Sequence, residues 1–297
     1  MENVVRKQDV VRKWDASRQW GPIGVISVLT FQEALRRKIL WAALGLGAAF
    51  LILYGIGLYY INREVRADMG TNTAVIREML NFMMMAGLYV VNFLVVMMTV
   101  LTSVDTLSGE ITSGTIQTVV SKPLSRYQVV VGKWLGFAVM LTLYVLLMAG
   151  GVIGITYALS GILPPRVAPG LALMVLEALV MLSVSLMGGT WLSTLANGVL
   201  AFGLYSLAFI GGWIEQIGSY LRNETAVNIG IVSSLLLPSE ALWRRAAYEM
   251  QSPLSRDFGI TPFASASVPS TAMIVYAVLY SLAMLSVAVL VFGRRDL

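Results

Sequence analysis

The sequence predicts an all-α, polytopic membrane protein, and two observations carry that prediction. Six apolar runs have membrane-spanning length, and 57% of the 297 residues are hydrophobic against only 12% charged. A soluble domain carries about a quarter charged residues. A hydrocarbon core about 30 Å thick takes roughly 20 helical residues, and the runs at residues 39–61, 82–104, 129–159, 170–192, 198–221 and 271–292 meet that length. Closed β-barrels, the other way to satisfy backbone groups in lipid, show alternating segments of about ten residues, unlike these continuous stretches.

Composition also narrows the chemistry. The chain has no Cys and no His, which removes disulfides, thiolate nucleophiles, imidazole metal sites and the commonest general base. An integral-membrane enzyme would need catalytic groups converging at one depth, and the spans offer only two separated carboxylates, Glu177 and Glu215. The net charge of +5 is too small and too dispersed for a nucleic-acid surface, so no nucleic-acid partner is expected. Its placement reads instead as topology. With six spans, 13 of the 21 Lys and Arg residues fall on the side of the N- and C-termini, which puts both termini in the cytoplasm.

Residues 1–38 form a cytoplasmic segment with eight basic residues, the last three, Arg36, Arg37 and Lys38, abutting the first span. Pro22 suits a first helical turn, so a membrane-surface helix is expected over 21–38. No cleaved signal is expected, because the first apolar run is too long for a signal core and is followed by Asn62-Arg63-Glu64. The six-helix domain then runs from 39 to 297, with outer loops at about 62–81, 160–169 and 222–270. Within the first of these, Arg63, Glu64, Arg66, Asp68, Arg77 and Glu78 alternate with apolar positions and predict a short amphipathic helix.

The cytoplasmic loop at about 105–128 is too polar to cross. A helix start at Asp105 or Ser108, apolar Ile111, Ile116, Val119 and Val120, and a Lys122-Pro123 stop predict a short helix along the cytoplasmic face. Such a helix either docks into a groove of a soluble partner, with Glu110 and Arg126 setting register, or is a solvated connector. In the third span Gly132 and Gly136 read as a small-xxx-small helix contact and Lys133 as an anchor.

Glu177 and Glu215 fall in the outer halves of the fourth and fifth spans. Intramembrane carboxylates are costly, so Glu177 and Glu215 are both candidates for a translocation path; the other reading of Glu177 is pairing within the bundle, and that of Glu215, beside Trp213, an interfacial position. The 16 Met residues read as adaptable packing rather than a metal path. In the last outer loop 227–237 is apolar but too short to cross and Pro238 ends it. Ser239 to Arg245 then predicts an interfacial helix with Ser239 as N-cap and Trp243 at headgroup level.

The run SGEITSGTIQTVVSKPLSRYQVVVGKWLG resembles the coupling-helix signature of type 2 ABC transporter permeases: acidic residue, Gly-Thr, hydrophobic pair, Lys-Pro, Ser-Arg, then Gly-Lys opening the third span. The matching positions are Glu110, Gly114, Thr115, Val119, Val120, Lys122, Pro123, Ser125, Arg126, Gly132 and Lys133. The order of elements across nearly the whole chain is similar as well. The resemblance implies a permease of an exporter in the plasma (inner) membrane. It pairs with a second permease copy, identical or paralogous, and with two ATPase subunits that hold the ATP and Mg; this chain needs no cofactor. It assigns ATPase coupling to Asp105, Glu110, Gly114, Thr115, Val119, Lys122, Pro123 and Arg126. Glu33 and Arg36 become secondary contacts, with solvated anchoring as their other reading. The chain itself lacks a phosphate loop, since Gly132-Lys133 is followed by Trp134 and Tyr127 stands where Gly would be required. A secondary carrier or channel is the competing class, and it would favour paired broken helices and repeat symmetry, neither of which the sequence displays.

Overall fold

A computed structural model describes residues 21–68, 73–113, 125–254 and 267–294. Among them the regular elements are helices: α1 (Pro22–Arg36), α2 (Lys38–Asp68), α3 (Thr73–Ser103), α4 (Ser108–Thr112), α5 (Arg126–Ser160), α6 (Val167–Gly189), α7 (Thr194–Tyr220), α8 (Glu224–Leu236), α9 (Ser239–Met250) and α10 (Thr271–Arg294). Six of these, α2, α3, α5, α6, α7 and α10, are long and apolar enough to cross a membrane, in the predicted order. The face where α1 begins and α10 ends is the terminal face, and the opposite one is the far face.

The bundle forms around α6, whose Met174, Ala178, Val180, Met181, Leu182, Val184 and Leu186 are buried. Helices α3, α5, α7, α9 and α10 pack on it. Large apolar side chains such as Leu53, Val199 and Leu290 remain exposed on the outer surface, as expected where lipid is the solvent. Helix α5 is 35 residues long, about 52 Å, so it extends beyond the hydrocarbon core. A capping box between Ser125 and Gln128 starts it, and Gly161, at φ +74°, ends it by donating its N–H to the Tyr157 carbonyl.

Glycines set the course of α1. Cβ atoms built on Gly132 and Gly136 of α5 would stand 2.7 Å from Ile26 and 2.6 Å from the Ser27 carbonyl, so α1 lies in a groove that only glycine leaves open. The predicted small-xxx-small contact is therefore between α5 and α1.

Two outer-loop expectations are corrected. Among the described residues the amphipathic helix expected within 63–81 is not a separate element, because α2 runs on to Asp68 and α3 starts at Thr73. The apolar positions that suggested it, Val65, Ile76 and Leu80, instead bury with Leu58 in a small far-face core. The second correction concerns 224–250. Helix α8 packs along α7, the chain bends by 105° at Leu237-Pro238, and α9 returns through the bundle interior against α6. Met250 at its end touches Gly170 and Glu249 binds Arg166, both at the far-face start of α6, so α8 and α9 form a re-entrant hairpin. Far from lying at headgroup level, Trp243 is 3% exposed, and Pro238 rather than Ser239 holds the N-cap position. The Tyr276 and Tyr280 hydroxyls of α10 donate to the Leu235 and Leu236 carbonyls, satisfying the last turn of α8.

Gly136→Leu is expected to cost about 1–3 kcal/mol by overpacking the α1–α5 crossing. Gly150→Ala, where no atom lies within 4 Å of the added Cβ, serves as a control near zero. Thermal melts of the purified variants check this, and equal melting temperatures would refute the crossing.

Candidate functional site

Polar side chains gather in two layers. On the terminal face, α3 ends at Ser103, turns through 104–107 and re-forms as the short α4. The start of α7 grips this turn: the Thr194 hydroxyl donates to Asp105 Oδ1 at 3.0 Å and lies 2.9 Å from the Ser108 hydroxyl. Asn197 Nδ2 donates to the carbonyls of Val104 and Ser185. The helix start expected at Asp105 or Ser108 falls at Ser108, with Asp105 bonded to α7 rather than capping α4. Glu110 of α4 pairs with Lys133 of α5, leaving its Oε2 buried and without a hydrogen-bond partner. Lys133 is thus turned inward, 6% exposed, and is a tie between helices rather than a surface anchor.

Arg126 is also engaged within the chain, donating to the Gly293 carbonyl at 3.2 Å and capping the last turn of α10. Glu33 pairs with Arg37 one turn on at 2.8 Å, and Arg36 is exposed beside it on α1. Gly114, Thr115, Val119, Lys122 and Pro123 lie outside the described residues.

The second layer sits at mid-depth. Glu177 is the eleventh residue of α6, about 15 Å below its far-face end, and is fully buried. Its Oε1 accepts from Asn92 Nδ2 of α3 at 3.1 Å, while Glu177 Oε2 and Asn92 Oδ1 have no partner. The hairpin brings Glu240 and Arg244 into the same interior. Arg244 Nη2 donates to Glu215 Oε2 of α7 at 2.8 Å, both side chains being 5% exposed, and Ser267 donates to Glu215 Oε1. Glu215 is therefore an interior ion-pair partner and not the interfacial carboxylate expected from its neighbour Trp213. At the far face Glu249 accepts from Arg166 and Arg245, and Arg245 reaches the Pro269 carbonyl. Burial pushes the Glu249 carboxyl up, but the two guanidiniums outweigh it and hold the group below the usual carboxylate range.

The sequence points to no site role for Thr194, Asn92, Glu240 or Arg244, and it offers Lys133 only as an anchor and as the last position of the loop signature. Pairings such as Glu110 with Lys133 or Glu215 with Arg244 join different helices, and helical periodicity gives no register between helices. One signal was present: Glu240 and Arg244 are one turn apart in a helix otherwise rich in Ala, Leu and Trp.

A bundle of six membrane-crossing helices with a re-entrant hairpin and a polar interior defines a multi-pass helical membrane protein. The family model described as ABC-2 family transporter protein matches residues 25–297. The chain belongs to this family and is a type 2 ABC transporter permease. Comparison with curated proteins gives no match.

Removing either half of the interior ion pair leaves a buried charge uncompensated, so Glu215→Ala and Arg244→Ala are each expected to destabilise by about 3–5 kcal/mol. The double variant should lose less than the sum, as read by thermal melting. For Glu249 the depressed carboxyl contributes stability above the ordinary carboxylate range and loses it as pH falls through the lowered value. Glu249→Gln should accordingly flatten the decline of the melting temperature on acidification; an unchanged slope would argue against the clasp.

Proposed function

We propose that this permease is the transmembrane subunit of an ATP-driven exporter of the plasma membrane. It works as a pair with a second permease copy, and two separate ATPase subunits supply the ATP hydrolysis. The termini and the loop at about 105–128 face the cytoplasm, where the ATPases dock. Export direction, pairing and the ATPase partners are the parts the family resemblance implies.

The observation that carries the coupling role is the double attachment of the loop. Glu110 ties α4 to α5 through Lys133, and Asp105 and Ser108 tie it to α7 through Thr194. A surface loop that only connected two spans would not need partners from two other helices. Held this way, α4 passes a push from a docked subunit directly into the bundle. Within this reading Glu110 and Arg126 act by positioning, since both are bonded inside the chain.

Co-purification under mild extraction is expected to yield a stoichiometric ATP-hydrolysing partner. Glu110→Arg, which opposes two cations, should weaken ATPase stimulation by about tenfold or more. The charge swap Glu110→Lys with Lys133→Glu should restore most of it if the pair positions the loop. Absence of any ATPase, with transport driven by an ion gradient alone, would replace the exporter by a secondary carrier.

A further inference from the structure

The mid-depth layer holds an imbalance that the permease reading leaves unused. Among the described residues three carboxyl groups, Glu177, Glu215 and Glu240, share the interior with one guanidinium, Arg244, which donates to Glu215 and also lies within electrostatic reach of Glu240. None of the four is more than 4% exposed. Glu177 and Glu240 are left with no cationic hydrogen-bond partner in the described structure, and Glu177 Oε2 and Asn92 Oδ1 are orphaned acceptors side by side. Native interiors leave few such atoms unsatisfied.

Aromatic rings border the same carboxylates. Tyr89 of α3 and Tyr205 of α7 both lie within electrostatic reach of Glu177 and Glu240. Tyr89 stacks obliquely on Trp243 of the hairpin at 5.6 Å, and Phe209 bridges Tyr89 to Tyr205 at 6.5 and 6.2 Å. Ring faces carry partial negative charge and attract cations, most strongly when desolvated. Excess carboxylate, orphaned acceptors and aromatic faces together describe a site for a positive, partly apolar group. A metal ion fits less well, because among the described residues no three Asp or Glu side chains converge as ligands.

We propose that Glu177, Glu240, Asn92, Tyr89, Tyr205 and Trp243 form a binding site for an organic ammonium cation, the substrate class of this transporter. The substrate role rests on the exporter reading; the binding itself does not. Glu177 and Glu240 neutralise the charge, Asn92 Oδ1 accepts an N–H where the amine has one, and the rings cover the alkyl groups. Asn92, Glu177, Tyr205, Glu240 and Trp243 are buried in this conformation and Tyr89 half-buried, and because Glu240 and Trp243 both ride on α9, a shift of the α8–α9 hairpin is the way to admit the cation. Arg244, also on α9, keeps Glu215 out of the site. Its Nε and Nη1 are unpartnered too, so an anion is the rival occupant.

The test is calorimetric titration of the purified full chain in lipid nanodiscs with tetramethylammonium chloride, at constant ionic strength. Tert-butanol serves as a neutral probe of similar shape and sodium sulfate as the anion probe. Saturable binding of tetramethylammonium alone is expected, weakened by about tenfold or more in Glu177→Gln, a loss of about 1.4 kcal/mol. Should Glu177→Gln fail to fold, Glu240→Gln carries the same expectation. No binding to the wild type, equal binding of tert-butanol, sulfate in place of the cation, or an unaffected carboxamide variant each overturns the proposal. No ATPase enters this measurement, so its failure is distinct from failure of the exporter reading.

Discussion

Arg244 and Glu215 meet at 2.8 Å inside the bundle, and their pairing is what lets a charged helix occupy an apolar interior. Taking either charge out of water alone costs several kcal/mol, and lipid offers no substitute partner. With the pair made, α9 can bury Ala241, Leu242, Trp243, Ala246 and Met250 against α6 and the helices around it. The remaining hairpin groups are met in the same way. Tyr276 and Tyr280 take the last carbonyls of α8, and Arg166 and Arg245 take Glu249. A re-entrant segment survives in a membrane only where protein surrounds it, and each of these contacts belongs to that surround.

The spans were legible in the sequence because their signal is local: length, apolarity and the charges that stop them. The start of α4 at Ser108, the first turn of α1 at Pro22 and the Gly132–Gly136 contact were legible for the same reason. What escaped was everything decided between helices. Val65, Ile76 and Leu80 look amphipathic alone, yet they bury because the ends of α2 and α3 meet. Likewise Trp243 beside Arg244 and Arg245 reads as a headgroup-level cluster until α6 provides a buried face. The interior role of Glu215 depended on a cation 29 residues away on an element that sequence placed at the surface.

The two polar layers differ in their state of satisfaction. On the terminal face most donors and acceptors are used, with Asn197 Nδ2 bridging the Val104 and Ser185 carbonyls and only Glu110 Oε2 and Asn197 Oδ1 left over among the described residues. A network that bonds α4 and its turn to both α5 and α7 is stiff, which suits the coupling role proposed for the loop. At mid-depth the acceptors of Glu177 and Asn92 and two nitrogens of Arg244 are unused. Unused groups in a dry interior raise the energy of the empty state, and an occupant that bonds them lowers it.

Two helices run through both layers. Helix α3 carries Asn92 at mid-depth and the Val104–Asp105 turn at the terminal face, 13 residues or about 20 Å apart. Helix α7 carries Thr194 and Asn197 in the loop clamp and Tyr205 and Glu215 in the interior. A displacement of α4 that Thr194 and Asn197 follow therefore shifts α7, and with it the carboxylate that holds Arg244. Since Arg244 rides on the helix bearing Glu240 and Trp243, the hairpin is obliged either to follow α7 or to break the Arg244–Glu215 ion pair. Following is the less costly course by the energy of an uncompensated buried charge. The pair that permits the hairpin to be buried thus also links its position to the loop, so one interaction serves both the fold and the opening of the interior site.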